Sequence, residues 1–203
     1  MTGTSDPFWD ARYSAGEYAY GTEPSLYLKT CLAAMPPGRA LFPAEGEGRN
    51  AVYAAQCGWD VTAFDGSSEG RRKALALAAV RGVTLDYRLM RFGDLDFPDA
   101  SFDLIALIFV HPPPEERRSL HRRLASLLRP GGRVLLEVFS VEQLRFSSGG
   151  PKDPAMLHTP DQLRAEFAAL RETRCTVETL LLTEGAFHQG EASVLRAEFV
   201  RER

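Results

Sequence analysis

Two glycines in the segment "EGEGRNA" are spaced for ligand binding, because Gly46 and Gly48 follow a short apolar run and precede a helical pattern. Glycine has no Cβ, so its backbone N–H can approach a ligand closely, and a helix N-terminus adds the positive end of its dipole. Asp65 ends the next predicted strand, nineteen positions after Gly46. A carboxylate at this spacing accepts hydrogen bonds from ribose hydroxyls. The pattern predicts a nucleoside-type ligand without specifying which one, and the alternative role for Asp65 is a cap on the following helix.

Two histidines are candidates for proton transfer. His111 ends the fourth predicted strand in "FVHPPP", and ligands of α/β sheets bind outside the carboxyl ends of parallel strands. His188 lies in the predicted turn of a terminal hairpin. The alternatives are a helix-capping role for His111 and a solvated turn position for His188. We expect His121 and His158 to be peripheral.

An aromatic segment, "FWDARYSAGEYAYG", lies close to the N-terminus. It is too aromatic for a solvated tail, so we expect it to fold over another part of the protein as a lid or as a structural cap on the sheet. In a lid, the aromatic faces would cover a cationic ligand, and Arg12 would meet a ligand carboxylate.

The elements that must position these residues alternate between strand-like and helical patterns. A helix is predicted over 26–35, and strands over 39–44, 60–65, 83–90, 102–110 and 133–139, with helices between them. The run at 102–110 is apolar throughout, as in a strand covered on both faces of a parallel sheet. The helix at 114–132 is predicted to end at Pro130 and the two following glycines.

The C-terminal part has a different pattern. A capped amphipathic helix over 159–171 precedes two strands, 176–185 and 191–200, joined by "AFHQ" as a hairpin. The segment 140–157, rich in Gly, Pro and Ser, is the predicted loop insertion beside the site. The basic runs at 71–73 and 121–123 are predicted to be solvated helix faces.

Composition excludes several classes of function. The chain has 203 residues, with 24 Lys+Arg against 27 Asp+Glu and a formal charge of −3, which gives no field for nucleic acid or an anionic membrane. Three separated cysteines, Cys31, Cys57 and Cys175, favour neither disulfides nor a metal site and indicate a reducing cytoplasm. No apolar run is long enough to cross a bilayer. We therefore expect one domain with a small-molecule partner.

The successive segments "EGEGRNAVY", "GWDVTAFD", "FPDASFDLI", "LLRPGGRVLLEVF" and "TPDQLRAEF" resemble, in order, the blocks of the class I S-adenosylmethionine-dependent methyltransferases. The resemblance covers nearly the whole chain. "FWDARY" and "EGAFHQG" look like the tellurite-resistance and thiopurine methyltransferase branch of that family. This resemblance implies a methyltransferase that uses S-adenosylmethionine. A non-catalytic binding module of the same fold is the alternative.

The resemblance also implies a set of cofactor contacts. Asp65 would bind both ribose hydroxyls, and Gly46 and Gly48 would lie against the methionine portion. The other implied cofactor-binding residues are Arg12, Ala44, Glu45, Glu47, Gly66, Arg91, Phe92 and Phe109.

Two positions depart from the family pattern. The family often has an acid at the position of Phe42, contacting the cofactor ammonium, and Glu45 is the predicted replacement because it follows the strand directly. Glu47 is the alternative replacement, although a carboxylate in the turn stays solvated more easily. Arg91 stands where an acid would accept from the adenine amino group, and since arginine only donates, we expect it to stack on the adenine ring.

The sequence thus predicts a single α/β domain over 1–203, with a lid and helix at 1–37 and a Rossmann-like core at 38–203. The core is a doubly wound, mostly parallel seven-stranded sheet with a C-terminal antiparallel hairpin and helices on both faces. S-adenosylmethionine is the expected donor and a small molecule the acceptor, with soft sulfur, selenium or tellurium nucleophiles favoured because they need little help from a base. His111 and His188 are the candidate catalytic residues.

Overall fold

The computed structural model describes residues 5–203, so the first four residues of the predicted 1–37 segment lie outside the described part of the chain. Its α-helices are α1 (Pro7–Tyr13), α2 (Leu26–Ala33), α3 (Arg49–Gln56), α4 (Ser68–Val80), α5 (Pro114–Leu127) and α6 (Pro160–Glu166). Its strands are β1 (Arg39–Pro43), β2 (Asp60–Asp65), β3 (Asp86–Leu89), β4 (Phe102–Ile108), β5 (Leu128–Phe139), β6 (Arg171–Glu184) and β7 (His188–Val200).

The strands form a seven-stranded sheet in the order β3-β2-β1-β4-β5-β7-β6. Strand β2 pairs in parallel with both β1 and β3, and β4 pairs in parallel with β5. Strand β7 pairs with β5 in the antiparallel direction. This mixed sheet with its reversed C-terminal hairpin is the predicted Rossmann-like fold, which is therefore confirmed.

The chain divides into two compact units, each described by itself below. The first unit comprises residues 5–96 together with 184–186. It contains β1, β2, β3 and the first four helices. Its core includes Phe42 and Phe64, which are 0% and 1% exposed. Burying two such rings removes several hundred Å² of apolar surface from water, the dominant favourable term in folding.

The second unit comprises residues 97–183 and 187–203. Strand β4 is almost wholly buried, with Leu104 and Ile105 at 0% exposure, as its continuous apolar run predicts for a strand covered on both faces. Thr159 begins α6 with a capping box, in which its hydroxyl accepts from the Gln162 N–H and the Gln162 side chain accepts from the Thr159 N–H. This box is the start signal that made the last helix predictable.

The structure corrects three predicted boundaries in this C-terminal part. Helix α5 ends at Leu127, and "RPGG" continues as the start of β5 rather than closing the helix. Strand β6 begins at Arg171, five residues before its predicted start, because its ladder with the rest of the sheet overrides local propensity. The hairpin turn is one step earlier than "AFHQ" suggests, so His188 is the first residue of β7 and not a turn residue.

Candidate functional site

The glycine turn after β1 has the backbone conformation that only glycine adopts without strain. Gly46 and Gly48 have φ angles of +62° and +86°, in the left-handed region. A Cβ at Gly48 would lie 2.5 Å from the Ala74 Cβ of α4, which no real side chain tolerates. The two glycines therefore serve both the turn and the close packing of α4 against it.

Asp65, at the end of β2, is joined to this turn by its carboxylate. Its Oδ2 accepts from the Gly46 N–H at 2.9 Å, and its Oδ1 accepts from the Ser67 N–H at 2.8 Å. Asp65 is 6% exposed, and this desolvation raises the pKa of its carboxyl to about 6. A carboxylate has about four lone-pair positions, so two bonds leave Asp65 with acceptor capacity for a ligand.

Glu45 caps helix α3. Its Oε1 accepts from the Asn50 and Ala51 N–H groups, both at 2.8 Å. Desolvation raises the pKa of Glu45 to about 7, against the effect of these two hydrogen bonds. Both bonds use one oxygen, so Oε2 is the atom with acceptor capacity toward a ligand. Phe42, where the family often has an acid, is fully buried in the core and presents no group to a ligand.

Glu47 does not stay solvated as predicted. It is 5% exposed, and its Oε1 lies 2.7 Å from the Lys73 Nζ in a buried ion pair. Its Oε2 accepts from the Ala19 N–H at 2.7 Å, while Lys73 also donates to the Glu17 carbonyl at 2.6 Å. Glu47 therefore holds the N-terminal segment directly through Oε2 and indirectly, by way of Lys73, through Oε1. Both oxygens are used in this way, so the structure gives Glu47 a structural role in place of the predicted cofactor contact.

Lys73 in turn corrects the prediction that 71–73 is a solvated helix face, since Lys73 is 4% exposed. The signal was present in the sequence. Lys73 falls at helical spacing with Gly70, Ala74 and Leu77, which are all buried on one face of α4. A lysine on an apolar helix face requires a buried anion, and the glycine turn supplies it.

Helix α1 packs against the same region. The Asp10 carboxylate accepts from the Ser67 hydroxyl at 2.6 Å and from the Glu69 N–H at 3.2 Å, at the N-terminus of α4. Tyr13 is 5% exposed, and its hydroxyl lies 2.6 Å from the position that a Cβ on Gly46 would take. The aromatic segment is therefore folded over the glycine turn, as both the lid and the cap interpretations require.

Tyr87 is a residue of this region that sequence reasoning missed. Its hydroxyl donates to the Gly46 carbonyl at 2.5 Å, and burial raises its pKa well above the usual value. Tyr87 therefore holds the same glycine against which Tyr13 packs. No local pattern in β3 distinguishes Tyr87 from an ordinary core aromatic residue.

The remaining predicted cofactor residues of the first unit lie around the ends of β1, β2 and β3. Arg12 is half-buried and contacts the Tyr20 hydroxyl at 3.3 Å. Arg91 is exposed, and its backbone N–H donates to Asp94. Three others are partly buried at the strand ends or just beyond them, and they are Ala44, Gly66 and Phe92.

A second group of predicted residues lies in the second unit, beyond the carboxyl end of β4. Phe109 has a φ of +55°, which is unusual for a bulky residue and marks a strained backbone position of the kind found at functional sites. Its ring centroid lies 4.4 Å from that of His188, and Phe139 lies 5.4 Å from His188. His188 is 5% exposed, so the solvated-turn alternative for this residue is wrong.

His111 is held between two segments of the second unit. Its Nδ1 lies 3.1 Å from the Met156 carbonyl, and its Nε2 accepts from the Phe139 N–H at 3.4 Å. Desolvation lowers the pKa of His111 to about 4, so the ring is neutral at physiological pH, with Nδ1 as the donor. Both nitrogens are engaged, which leaves neither lone pair nor proton for a reacting group.

His121 and His158 are not peripheral as predicted, since both are 0% exposed. His121 Nδ1 lies 2.7 Å from Glu166 Oε2, and Glu166 Oε1 accepts from Arg117 Nε at 3.0 Å. Arg117 also donates to the Ala155 and Leu157 carbonyls. This group of side chains fixes the end of the 140–157 segment to α5 and α6.

Within residues 5–203, no group of three or more His, Cys, Asp or Glu side chains is arranged to hold a metal ion. Over the same range, no helix is both long enough and apolar enough to span a membrane.

The strand order and the glycine turn after β1 define the type of fold. The chain has the α/β fold of the S-adenosylmethionine-dependent methyltransferases. Residues 43–132 match the family model described as a methyltransferase domain. The resemblance inferred from the sequence is therefore supported at the level of the class, with S-adenosylmethionine as the cofactor of that class.

An uncharacterized protein of Mycobacterium tuberculosis strain H37Rv is 32% identical over 130 residues, or 61% of this chain. The match covers 47% of that relative, so the chain spans about half the length of the curated relatives it matches.

Solved structures share the fold at low sequence identity. A protein from a study of the conversion of a disulfide bond into a thioacetal group during echinomycin biosynthesis has a TM-score of 0.78, with 18% identity over 96% of this chain and 91% of its own. TehB from Haemophilus influenzae has a TM-score of 0.71, with 13% identity and coverages of 97% and 66%. The 1,6-didemethyltoxoflavin-N1-methyltransferase of Burkholderia thailandensis, solved with its substrate and S-adenosylhomocysteine, has a TM-score of 0.63, with 20% identity and coverages of 88% and 79%.

Proposed function

We propose that the protein is an S-adenosylmethionine-dependent methyltransferase acting on a small-molecule acceptor. The observation that carries the proposal is the pair of desolvated carboxylates, Asp65 and Glu45, held by backbone N–H groups beside the left-handed glycine turn. Each carboxylate retains acceptor capacity. Hydrogen bonds donated by a ligand would offset the free-energy cost of burying each carboxylate away from water.

The donors of S-adenosylmethionine match these two acceptors. Asp65 accepts from the vicinal ribose hydroxyls, and Glu45 Oε2 accepts from the ammonium of the methionine portion, in place of the acid absent at Phe42. Gly46 and Gly48 permit close approach of the backbone, and Tyr13 covers this side of the turn. Further cofactor contacts are proposed for five residues of the same unit, which are Arg12, Ala44, Gly66, Arg91 and Phe92.

When bound, the cofactor supplies an electrophilic methyl group on a sulfonium. The chain's own contribution is to align an acceptor for in-line displacement and to exclude water from the reacting atoms. Helix α1, pinned by Asp10 to the N-terminus of α4, excludes water on the side of the glycine turn.

The acceptor is proposed to be a soft nucleophile of the sulfur, selenium or tellurium type. His111 has both ring nitrogens engaged, which removes one of the two candidate bases. His188, which packs against Phe109, is the residue proposed to contact the acceptor. A thiolate-like acceptor is already a good nucleophile and needs little help from a general base. The conversion of a disulfide bond into a thioacetal group, with which the echinomycin-pathway protein is associated, fits a sulfur acceptor. The fold similarity to TehB fits the tellurite-resistance branch.

A cytoplasmic location fits this proposal. Within residues 5–203, none of the three cysteines forms a disulfide bond. Free thiols persist in a reducing compartment.

Two measurements test the proposal. Calorimetric titration measures binding of S-adenosylmethionine and of S-adenosylhomocysteine. Turnover is measured as the formation of S-adenosylhomocysteine from S-adenosylmethionine with thiols, selenite, tellurite or phenols as acceptors. We expect saturable binding and turnover with at least one soft acceptor. Binding without product across the panel would indicate the non-catalytic binding module instead. Absence of binding would overturn both.

A further inference from the structure

We propose that the protein forms a homodimer through antiparallel pairing of the β6 strands of two copies. Strand β6 lies at one edge of the sheet, next to β7. At 14 residues it is long for an edge strand, and most of its side chains are at least partly exposed. The outer edge of an edge strand presents a row of backbone donors and acceptors to a partner strand.

The edge lacks the residue types that interrupt a strand or shield it with lysine, although it carries charged residues of both signs. Residues 171–184 contain no Pro, Gly or Lys, the residues that most often interrupt or shield an edge. Two apolar side chains on one face, Val177 and Leu181, are 44% and 68% exposed. This face of the strand remains uncovered by the second unit's own core.

The sequence of β6 is complementary to itself in the antiparallel direction. In "TRCTVET", residues 173–179, a two-fold axis at Thr176 places Arg174 of each copy opposite Glu178 of the other. The same axis pairs Cys175 with Val177 on the opposite face and Thr173 with Thr179. Opposite charges, apolar contacts and Thr–Thr pairs are the cross-strand combinations that stabilise antiparallel strands.

The two neighbouring registers, which are shifted by two residues and keep each side chain on the same face of the sheet, lose the pairing of opposite charges. A shift in one direction places Glu172 opposite Glu178, so like charges face each other twice. A shift in the other direction places Arg174 opposite Leu180. The side-chain pattern therefore selects the Thr176-centred register, in the way that patterning fixes register within a sheet.

The charges that would meet in the dimer are already paired within one chain. Arg174 lies 3.0 Å from Glu178, and Glu178 also accepts from Arg196 of β7 at 2.8 Å. Arg196 holds Glu178 in place on the sheet, while Arg174 reaches along the strand. In the dimer, Arg174 exchanges Glu178 of its own chain for the same residue of the second copy, so no charge loses its partner.

Charge reversal tests the pairing. Sedimentation equilibrium of the whole chain should show a monomer–dimer equilibrium. R174E and E178R, each alone, should weaken dimerisation about tenfold by creating two like-charge contacts. The double variant R174E/E178R should recover part of this loss, and not all of it, because the arginine introduced at position 178 would then lie beside Arg196 of its own chain. Circular dichroism confirms folding of each variant. A monomer up to about 1 mM, or a dimer unchanged by the single reversals, overturns the proposal.

A cysteine test reads the register directly. In a C57S background, V177C places the new thiol opposite Cys175 of the second copy, and mild oxidation should give a covalent dimer. T179C, on the same face, faces Thr173 in this register and should not cross-link. Within one strand, residues 175 and 177 are too far apart for an easy disulfide. Cross-linking of T179C instead of V177C, or of neither, contradicts the proposed register.

Discussion

Glu47 of the glycine turn and Lys73 of α4 form an ion pair of 2.7 Å in which the two side chains are 3% and 5% exposed. Glu47 also accepts from Ala19, and Lys73 also donates to Glu17, so the pair fixes residues 17–19 to the turn. The N-terminal segment and the glycine turn are therefore parts of one buried polar network.

Breaking this pair from one side should be costly. We expect Lys73→Met to lower the free energy of unfolding by about 3–5 kcal/mol, because Glu47 would be left as an unpaired buried carboxylate. Arg72→Met is the matched control on the same helix, since Arg72 pairs with Glu69 at an exposed position. Its cost should be below about 1 kcal/mol in urea unfolding. Equal costs for the two variants would show that the Glu47–Lys73 pair is not the stabilising feature.

The fold was predictable because periodicity and turn residues report directly on strands and helices. Strand β4 and the capping box at Thr159 are examples. The partners of buried polar groups were less predictable, because they are set by tertiary packing. Glu47 and His158 belong to segments that look solvated in sequence, and only the three-dimensional neighbours show that both are buried.

Asp65 should govern cofactor affinity. We expect Asp65→Asn to weaken binding of S-adenosylhomocysteine by about 1.5–3 kcal/mol, because the charge-assisted bonds to the ribose hydroxyls are lost. Asparagine keeps one acceptor oxygen, so one of the two backbone N–H groups, from Gly46 or Ser67, keeps its partner and the other loses it. Asp60→Asn, at the exposed other end of β2, is the control. An unchanged dissociation constant for Asp65→Asn in calorimetry would remove Asp65 from the site.

The pH dependence should identify Glu45. Its pKa of about 7 lies above the ordinary 4.5, so the folded state holds the proton more tightly than the unfolded state. Stability should therefore fall as the pH rises from about 4.5 to 7. Affinity for S-adenosylmethionine should rise between about pH 6 and 8, since the cofactor ammonium needs the ionised carboxylate. Asp65, with a pKa of about 6, contributes to the same fall in stability over the lower part of this range.

Glu45→Gln should flatten the rise in affinity while leaving the Asp65 contribution to stability in place. Calorimetry at several pH values and urea unfolding of the same two proteins give both curves. If the affinity of the variant still rises with pH, the ammonium is bound by another group.

Helix α1 should act as a lid. We expect Asp10→Ala to raise the dissociation rate of S-adenosylhomocysteine about tenfold, because it removes the contacts of α1 with Ser67 and Glu69 at the N-terminus of α4. Phe8→Ala, at a residue that is 62% exposed on the same helix, should leave the rate unchanged. Stopped-flow measurements and thermal melts separate the alternatives. A lower melting temperature with an unchanged dissociation rate would assign α1 to a structural cap.

Experiments should distinguish the roles of the two candidate histidines. We expect His111 to stabilise the fold and His188 to contact the methyl acceptor. His111→Gln should lower the free energy of unfolding by about 1–3 kcal/mol at pH 7, because the bonds to Met156 and Phe139 are disturbed. The lowered pKa of about 4 predicts that stability from His111 is lost as the pH falls from 6.5 toward 4, and the variant should lack this part of the curve.

His188→Gln should instead lower kcat about tenfold or more. The loss should be larger with a phenol, which needs a base, than with a thiol. Equal losses of kcat on both acceptors would assign His188 to positioning alone, and a kcat loss confined to His111→Gln would reverse the two roles.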